Sequence, residues 1–62
     1  MKIKHNSMIY NLDDFLNINL INTEQGCELY LDDLYIKTYT NQEKAVQILQ
    51  KIYNNPNKIY KI

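Results

Sequence analysis

A register that closes on itself constrains this chain more than any other feature. If Asp32-Asp33 is a two-residue turn, Leu31 faces Leu34, Tyr30 faces Tyr35, Leu29 faces Ile36 and Glu28 faces Lys37. Each pair is alike in character or opposite in charge, as stabilising cross-strand pairs are. The same run leads straight into a helix. Thr40-Asn41-Gln42-Glu43 fits a capping box, with the Thr40 hydroxyl accepting from the Glu43 amide and the Glu43 side chain reaching back. Ala45, Val46, Ile48, Leu49, Ile52 and Tyr53 then share one helical stripe, and Lys44, Gln47, Gln50 and Lys51 lie away from its centre. This predicts a core-facing helix with Tyr53 packed at its edge. Asn54-Asn55-Pro56 ends it, because proline disfavours a helical residue before it and cannot continue the ladder.

Upstream, residues 15–22 alternate. Leu16, Ile18 and Leu20 fall on one face, Asn17 and Asn19 on the other, which predicts a half-buried strand. Thr23-Glu24-Gln25-Gly26 reads as the next turn, with Gly26, the sole glycine, supplying positive φ. That turn pairs Leu20 with Leu29 and Ile18 with Leu31, so the two hairpins agree on which face is the core. A first strand is expected near residues 7–11, followed by a turn at Asn11-Leu12-Asp13-Asp14. The fold class is α+β: an antiparallel three- to four-stranded β-meander with one C-terminal α-helix packed on one face. A single domain spans residues 1–62. Its core lies in 8–54, and 55–62 is a tail or an edge strand.

Sixty-two residues bury a limited core, and such chains usually gain stability from disulfides, a metal or a partner. One cysteine excludes an internal disulfide, and one histidine leaves no zinc ligand cluster. No cofactor and no metal are expected, and self-association or a docking partner supplies the missing burial. The lone cysteine suits a reducing cytoplasm, which is the expected location. No apolar run approaches the ~20 residues of a membrane span. The N-terminal lysines are not followed by an apolar segment or a cleavage site, so no secretory signal is expected.

Seven lysines balance seven acids, and there is no arginine. All the acids lie in residues 12–43, with only Lys37 among them. A neutral chain without arginine lacks the electrostatic footprint of a nucleic-acid binder, whereas an acidic middle suits a basic partner. The Asp13-Asp14 and Asp32-Asp33 pairs have the chemistry of a metal or acid–base site, but each sits where a turn needs aspartate. Strand parity puts Cys27 with Leu29 and Leu31, so it reads as a buried small hydrophobe. His5 reads as a surface residue near a frayed terminus. No enzyme is expected from this inventory.

Tyr30, Tyr35 and Tyr39 are the candidates for function. Parity places them on the face away from the helix, beside Glu28 and Lys37. Asn17 and Asn19 extend that face, flanked by Phe15 and Ile21. One reading is a solvated sheet face with tyrosines as strand formers. The other is an aromatic recognition surface, since tyrosine is enriched at interface hot spots.

The run YLDDLYIKTYTNQEKAVQILQKIY (residues 30–53), with YNLDDFLNINL upstream, resembles a pattern found in small proteins of AT-rich bacteria and their phages. The resemblance covers residues 8–54 and carries no catalytic signature. Some compact proteins of that kind are anti-CRISPR-type inhibitors of host defence, which bind a nuclease or block its nucleic-acid channel. The aromatic sheet face, the acidic middle and the shortage of catalytic groups point to a non-enzymatic protein-binding module, and the resemblance implies a phage-type inhibitor of a host defence nuclease. The expected partner is a host enzyme or the chain itself as a homo-oligomer, the latter because so short a chain needs added burial. The alternative is an oligomeric single-stranded nucleic-acid-binding protein that uses the aromatic sheet face.

Overall fold

A computed structural model describes residues 1–62. Its fold is α+β, with six strands and one helix, but the strands form two three-stranded sheets instead of one meander. The central meander holds β3 (Ile18–Thr23), β4 (Gly26–Leu31) and β5 (Leu34–Tyr39) in that order. A second sheet has the order β2-β1-β6, from β1 (Lys2–His5), β2 (Met8–Asn11) and β6 (Ile59–Lys61). The helix α1 (Gln42–Asn54) follows β5.

The second sheet draws the two ends of the chain together. β1 pairs antiparallel with β2 and parallel with β6, and the Ile62 amide donates to the Lys4 carbonyl at 2.9 Å. The tail is therefore an edge strand, and His5 is not at a frayed end. Its Nδ1 donates to the Ile62 carbonyl at 2.9 Å, since a carbonyl only accepts. Asn6 and Ser7 form the tip between β1 and β2 with φ of 50° and 68°. Two positive-φ residues are what a tight hairpin of the favoured twist requires, and glycine is preferred at the second. Ser7→Gly should remove the left-handed strain and stabilise the fold by about 1 kcal/mol. Such a gain is expected to raise Tm by roughly 4–8 °C in a domain of this size, read by thermal melting.

After β2, residues Leu12–Asp14 form one 3-10 turn at the expected turn position. The Asn11 side chain accepts from the Asp13 amide at 3.1 Å, and Leu12 is carried into the core. The strand expected from residue 15 starts only at Ile18, and Leu16 is 92% exposed. The cause is Asp32. Its carboxylate accepts from the amides of Leu16 (3.1 Å) and Asn17 (2.8 Å), and its own amide donates to the Asn17 carbonyl at 2.9 Å. These bonds hold residues 16 and 17 outside the pleat, so the alternation has no sheet to register against until Ile18.

β3 and β4 pair in the expected register, with Leu20 opposite Leu29 and Ile18 opposite Leu31. β4 and β5 begin as expected, with Leu31 opposite Leu34 and Tyr30 opposite Tyr35. A bulge then intervenes at Leu29/Tyr30. Leu29 faces Lys37 instead of Ile36, Glu28 faces Thr38 instead of Lys37, and Cys27 faces Tyr39. A bulge inserts one residue against an unbroken partner strand and re-aims the side chains beyond it. Here the inserted Ile36 is itself buried, and Tyr39 swings inward to pack against the core beside Cys27.

The helix starts one residue later than the capping box implies. Asn41 is the N-cap, its Oδ1 accepting from the Lys44 amide at 2.9 Å. Glu43 is then the second helical residue and out of position to close a box with Thr40. Asn41→Ala should destabilise the fold by about 1 kcal/mol, with Thr40→Ala nearly neutral, as read by urea midpoints. Ala45 and Ile52 are buried, and Ile48 and Leu49 flank them against the sheet. Tyr53, expected in the core, is about half exposed, because the stripe that meets the sheet is narrower than the apolar one. Asn55 closes the helix, its amide donating to the Ile52 carbonyl and its side chain to the Lys51 carbonyl.

Ile3, Leu12, Leu29, Leu31, Ile36 and Ile52 form one core cluster shared by both sheets and the helix. Cys27 is fully buried and free, as its parity indicates. Only eight residues of the chain are buried, so the core is small and each member matters.

Candidate functional site on the outer face of the meander

The face of the meander turned away from the core is set by the registers above. Asn19 and Ile21 come from β3, Glu28 and Tyr30 from β4, and Tyr35 and Thr38 from β5. The Tyr30 and Tyr35 rings meet edge to face, with centroids 5.6 Å apart and planes at 68°. This is a favoured geometry for two quadrupoles. Each phenol is held by a neighbour. Tyr30 Oη donates to Glu28 Oε1 at 3.2 Å, and Tyr35 Oη lies 2.6 Å from Thr38 Oγ1. The hydrogen bond to Glu28 raises the Tyr30 phenol above its ordinary value, with desolvation and the Glu28 charge adding to the effect. Tyr35 and Ile21 remain 49% exposed. Beside them lies an open hollow of about 410 Å³, lined by Asn19, Leu20, Ile21, Tyr30, Asp32 and Asp33.

Four of the expected site residues, Tyr30, Tyr35, Glu28 and Asn19, come together on this face. Asn17 does not join it, because its backbone is committed to Asp32. Phe15, expected as a flank, packs against the core. Lys37 and Tyr39 are carried to the opposite face by the bulge, where Lys37 Nζ lies 5.2 Å from the Tyr39 ring centroid. Parity counted without a bulge misassigned both, and it missed Thr38 for the same reason. Asp32 and Asp33 border the hollow as well as making the turn, which their position directly after Tyr30 and Leu31 allowed one to see.

No family model, curated protein or solved structure matches this chain, so its own geometry carries the functional reading. That geometry brings no three His, Cys, Asp or Glu side chains together as a cation site. His5 and Cys27 lie in different sheets. What the tyrosine face offers is apolar aromatic area, carboxylates and neutral phenols. Those groups suit a surface that is both apolar and positively charged.

Tyr39 is a separate matter of stability. Its hydroxyl is buried with no hydrogen-bond partner, and burial raises its pKa above 10.0. As pH rises past the ordinary phenol value, the unfolded chain loses this proton before the folded chain does. The unfolded state then binds fewer protons, and stability falls with increasing pH. Tyr39→Phe removes the unpartnered hydroxyl. It should stabilise the fold at pH 7 by about 1 kcal/mol, the lower end of the cost of an unmade buried hydrogen bond. It should also flatten the loss of stability above pH 10. Urea midpoints of the two proteins at neutral and alkaline pH check both signs.

Proposed function

We propose that this chain is a small non-enzymatic protein-binding module, and that its docking surface is the outer face of the β3-β4-β5 sheet. The observation that carries the reading is the Tyr30–Tyr35 pair, partly buried at Tyr30, half exposed at Tyr35 and buttressed by its own hydrogen bonds, beside a hollow edged by Asp32 and Asp33. Rigid aromatics surrounded by polar groups are the usual composition of an interface hot spot. The carboxylates of Glu28, Asp32 and Asp33, with no lysine among the residues of this face, select a partner with basic groups. The nucleic-acid channel of a nuclease is a surface of that kind, which is why inhibition of a host defence nuclease fits. Nucleic acid itself fits this face poorly, since phosphates would meet carboxylates. The module would stay free of membranes, and no helix of the fold is long and apolar enough to cross one.

The test is capture of partners from host lysate after nuclease treatment, with wild type and a Tyr30→Ser/Tyr35→Ser double variant side by side. A protein retained by the wild type and lost by the variant supports the reading. Partners that disappear with nuclease, or that both proteins retain equally, reject it.

A further inference from the structure

The second sheet has an outer face of the opposite character. Its registers set Lys2 beside Asn11 and Ile59, and Lys4 beside Ile9 and Lys61. The intervening row, Ile3, Tyr10 and Tyr60, is turned into the core. The outward row therefore holds three lysines and two isoleucines and no acid. Ile9 is 55% exposed and Ile59 53%. A hollow of about 280 Å³ opens at its margin, bordered by Lys2, Lys58 and Ile59. None of these four lysines has an ion-pair partner within the molecule.

The two outer faces are complementary. One has ammonium groups interleaved with isoleucines and a hollow edged by lysines. The other has Glu28 among Ile21, Tyr30 and Tyr35 and a hollow edged by Asp32 and Asp33. Both point away from the same core, so one molecule cannot bring its own two faces together. We propose that a second copy of this chain docks its lysine face onto the tyrosine face of the first. This rests on the tyrosine face being a protein-docking surface, and it names an occupant for that face. Opposite charges on two sheet faces set orientation, and the isoleucines and tyrosines supply apolar contact. A nucleic-acid backbone would satisfy the lysines but leave Ile9 and Ile59 against phosphates. The contact joins two different patches, so it is head-to-tail and either closes into a ring or extends as a string of copies. Each face is only three short strands wide. The association therefore belongs to the weak class below about 1,200 Å² of buried surface. It also competes with any other partner for the tyrosine face.

The experiment is sedimentation equilibrium of the intact chain across protein concentration, in low salt and in about 1 M salt, where charges are screened within ~3 Å. The expected result is a weight-average mass that rises with concentration in low salt and returns to the monomer in high salt. Two charge-reversed variants sharpen it: Lys2→Glu/Lys4→Glu/Lys61→Glu on one face, and Glu28→Lys/Asp33→Lys on the other. Each alone should remain monomeric, and an equimolar mixture should associate again, because each supplies the face the other lacks. Re-association also shows that both variants are folded, and circular dichroism melts check it independently. A wild-type mass that stays at the monomer overturns the proposal, as does a mixture that stays monomeric, or association that survives lysine reversal. Salt-sensitive binding of a single-stranded oligonucleotide by the wild-type monomer, lost on lysine reversal, would also overturn it by assigning the face to phosphates. The lysine-reversed variant keeps the tyrosine face and should still capture a heterologous partner, so failure of self-association and failure of the docking reading give different results.

Discussion

Replacing Gly26 with alanine is expected to remove a large part of the chain's stability, roughly 4 kcal/mol. Gly26 has φ of +140°, a conformation that L side chains rarely adopt. A Cβ there would sit 2.0 Å from the Tyr39 carbonyl oxygen, and that oxygen belongs to the neighbouring strand's backbone. Relief therefore requires β4 and β5 to part where Cys27 faces Tyr39, next to a fully buried core residue. Backbone strain of about 1–3 kcal/mol and an overpacking cost of similar size act together. The sum, roughly 4 kcal/mol, is comparable to the total of about 3–9 kcal/mol expected for a chain of this length. Far-UV circular dichroism and a urea titration read the result. A midpoint within a few tenths molar of wild type would show that the strands yield more easily than this packing implies.

The second large effect is on binding. The Tyr30→Ser/Tyr35→Ser double variant is expected to lose partner affinity by at least about 100-fold, since each hot-spot aromatic is typically worth 2 kcal/mol or more. Stability should change far less. Tyr30 and Tyr35 face each other across the strands on the outer surface, outside the core cluster, and serine leaves no buried cavity. The cost is their edge-to-face contact, about 0.5–1.5 kcal/mol, plus part of their β-propensity. The separation of the two effects is the useful outcome. A fold retained with affinity lost assigns the tyrosines to recognition. Affinity retained with stability reduced by about 1 kcal/mol assigns them to the sheet. Titration calorimetry against the captured partner, with a urea titration of each protein, distinguishes the cases.

The local pattern of this sequence determined the register of β3 with β4, the start of the β4–β5 pairing and the course of α1, but neither β1 nor the first residue of the helix. The alternation of Ile18 and Leu20 against Leu29 and Leu31 admits one register for β3 and β4, because a one-residue slip would place a leucine against Glu28 or Tyr30. The apolar stripe and the Asn54-Asn55-Pro56 stop likewise delimit α1. Four members of the candidate site follow from that parity. Tertiary structure decided the rest, wherever a residue answered to a group distant in sequence. Asp32 holds the amides of Leu16 and Asn17, so β3 starts late and Asn17 leaves the site. The bulge at Leu29/Tyr30 is favoured by what it buries, Ile36 and the ring of Tyr39. No local pattern of β5 encodes that gain, and it moves Lys37 and Tyr39 to the far side. The pairing of β6 with β1 joins opposite ends of the chain. Three short residues on each side carry too little pattern to specify a partner, and the shared core beneath Ile3 and Tyr60 is what brings them together.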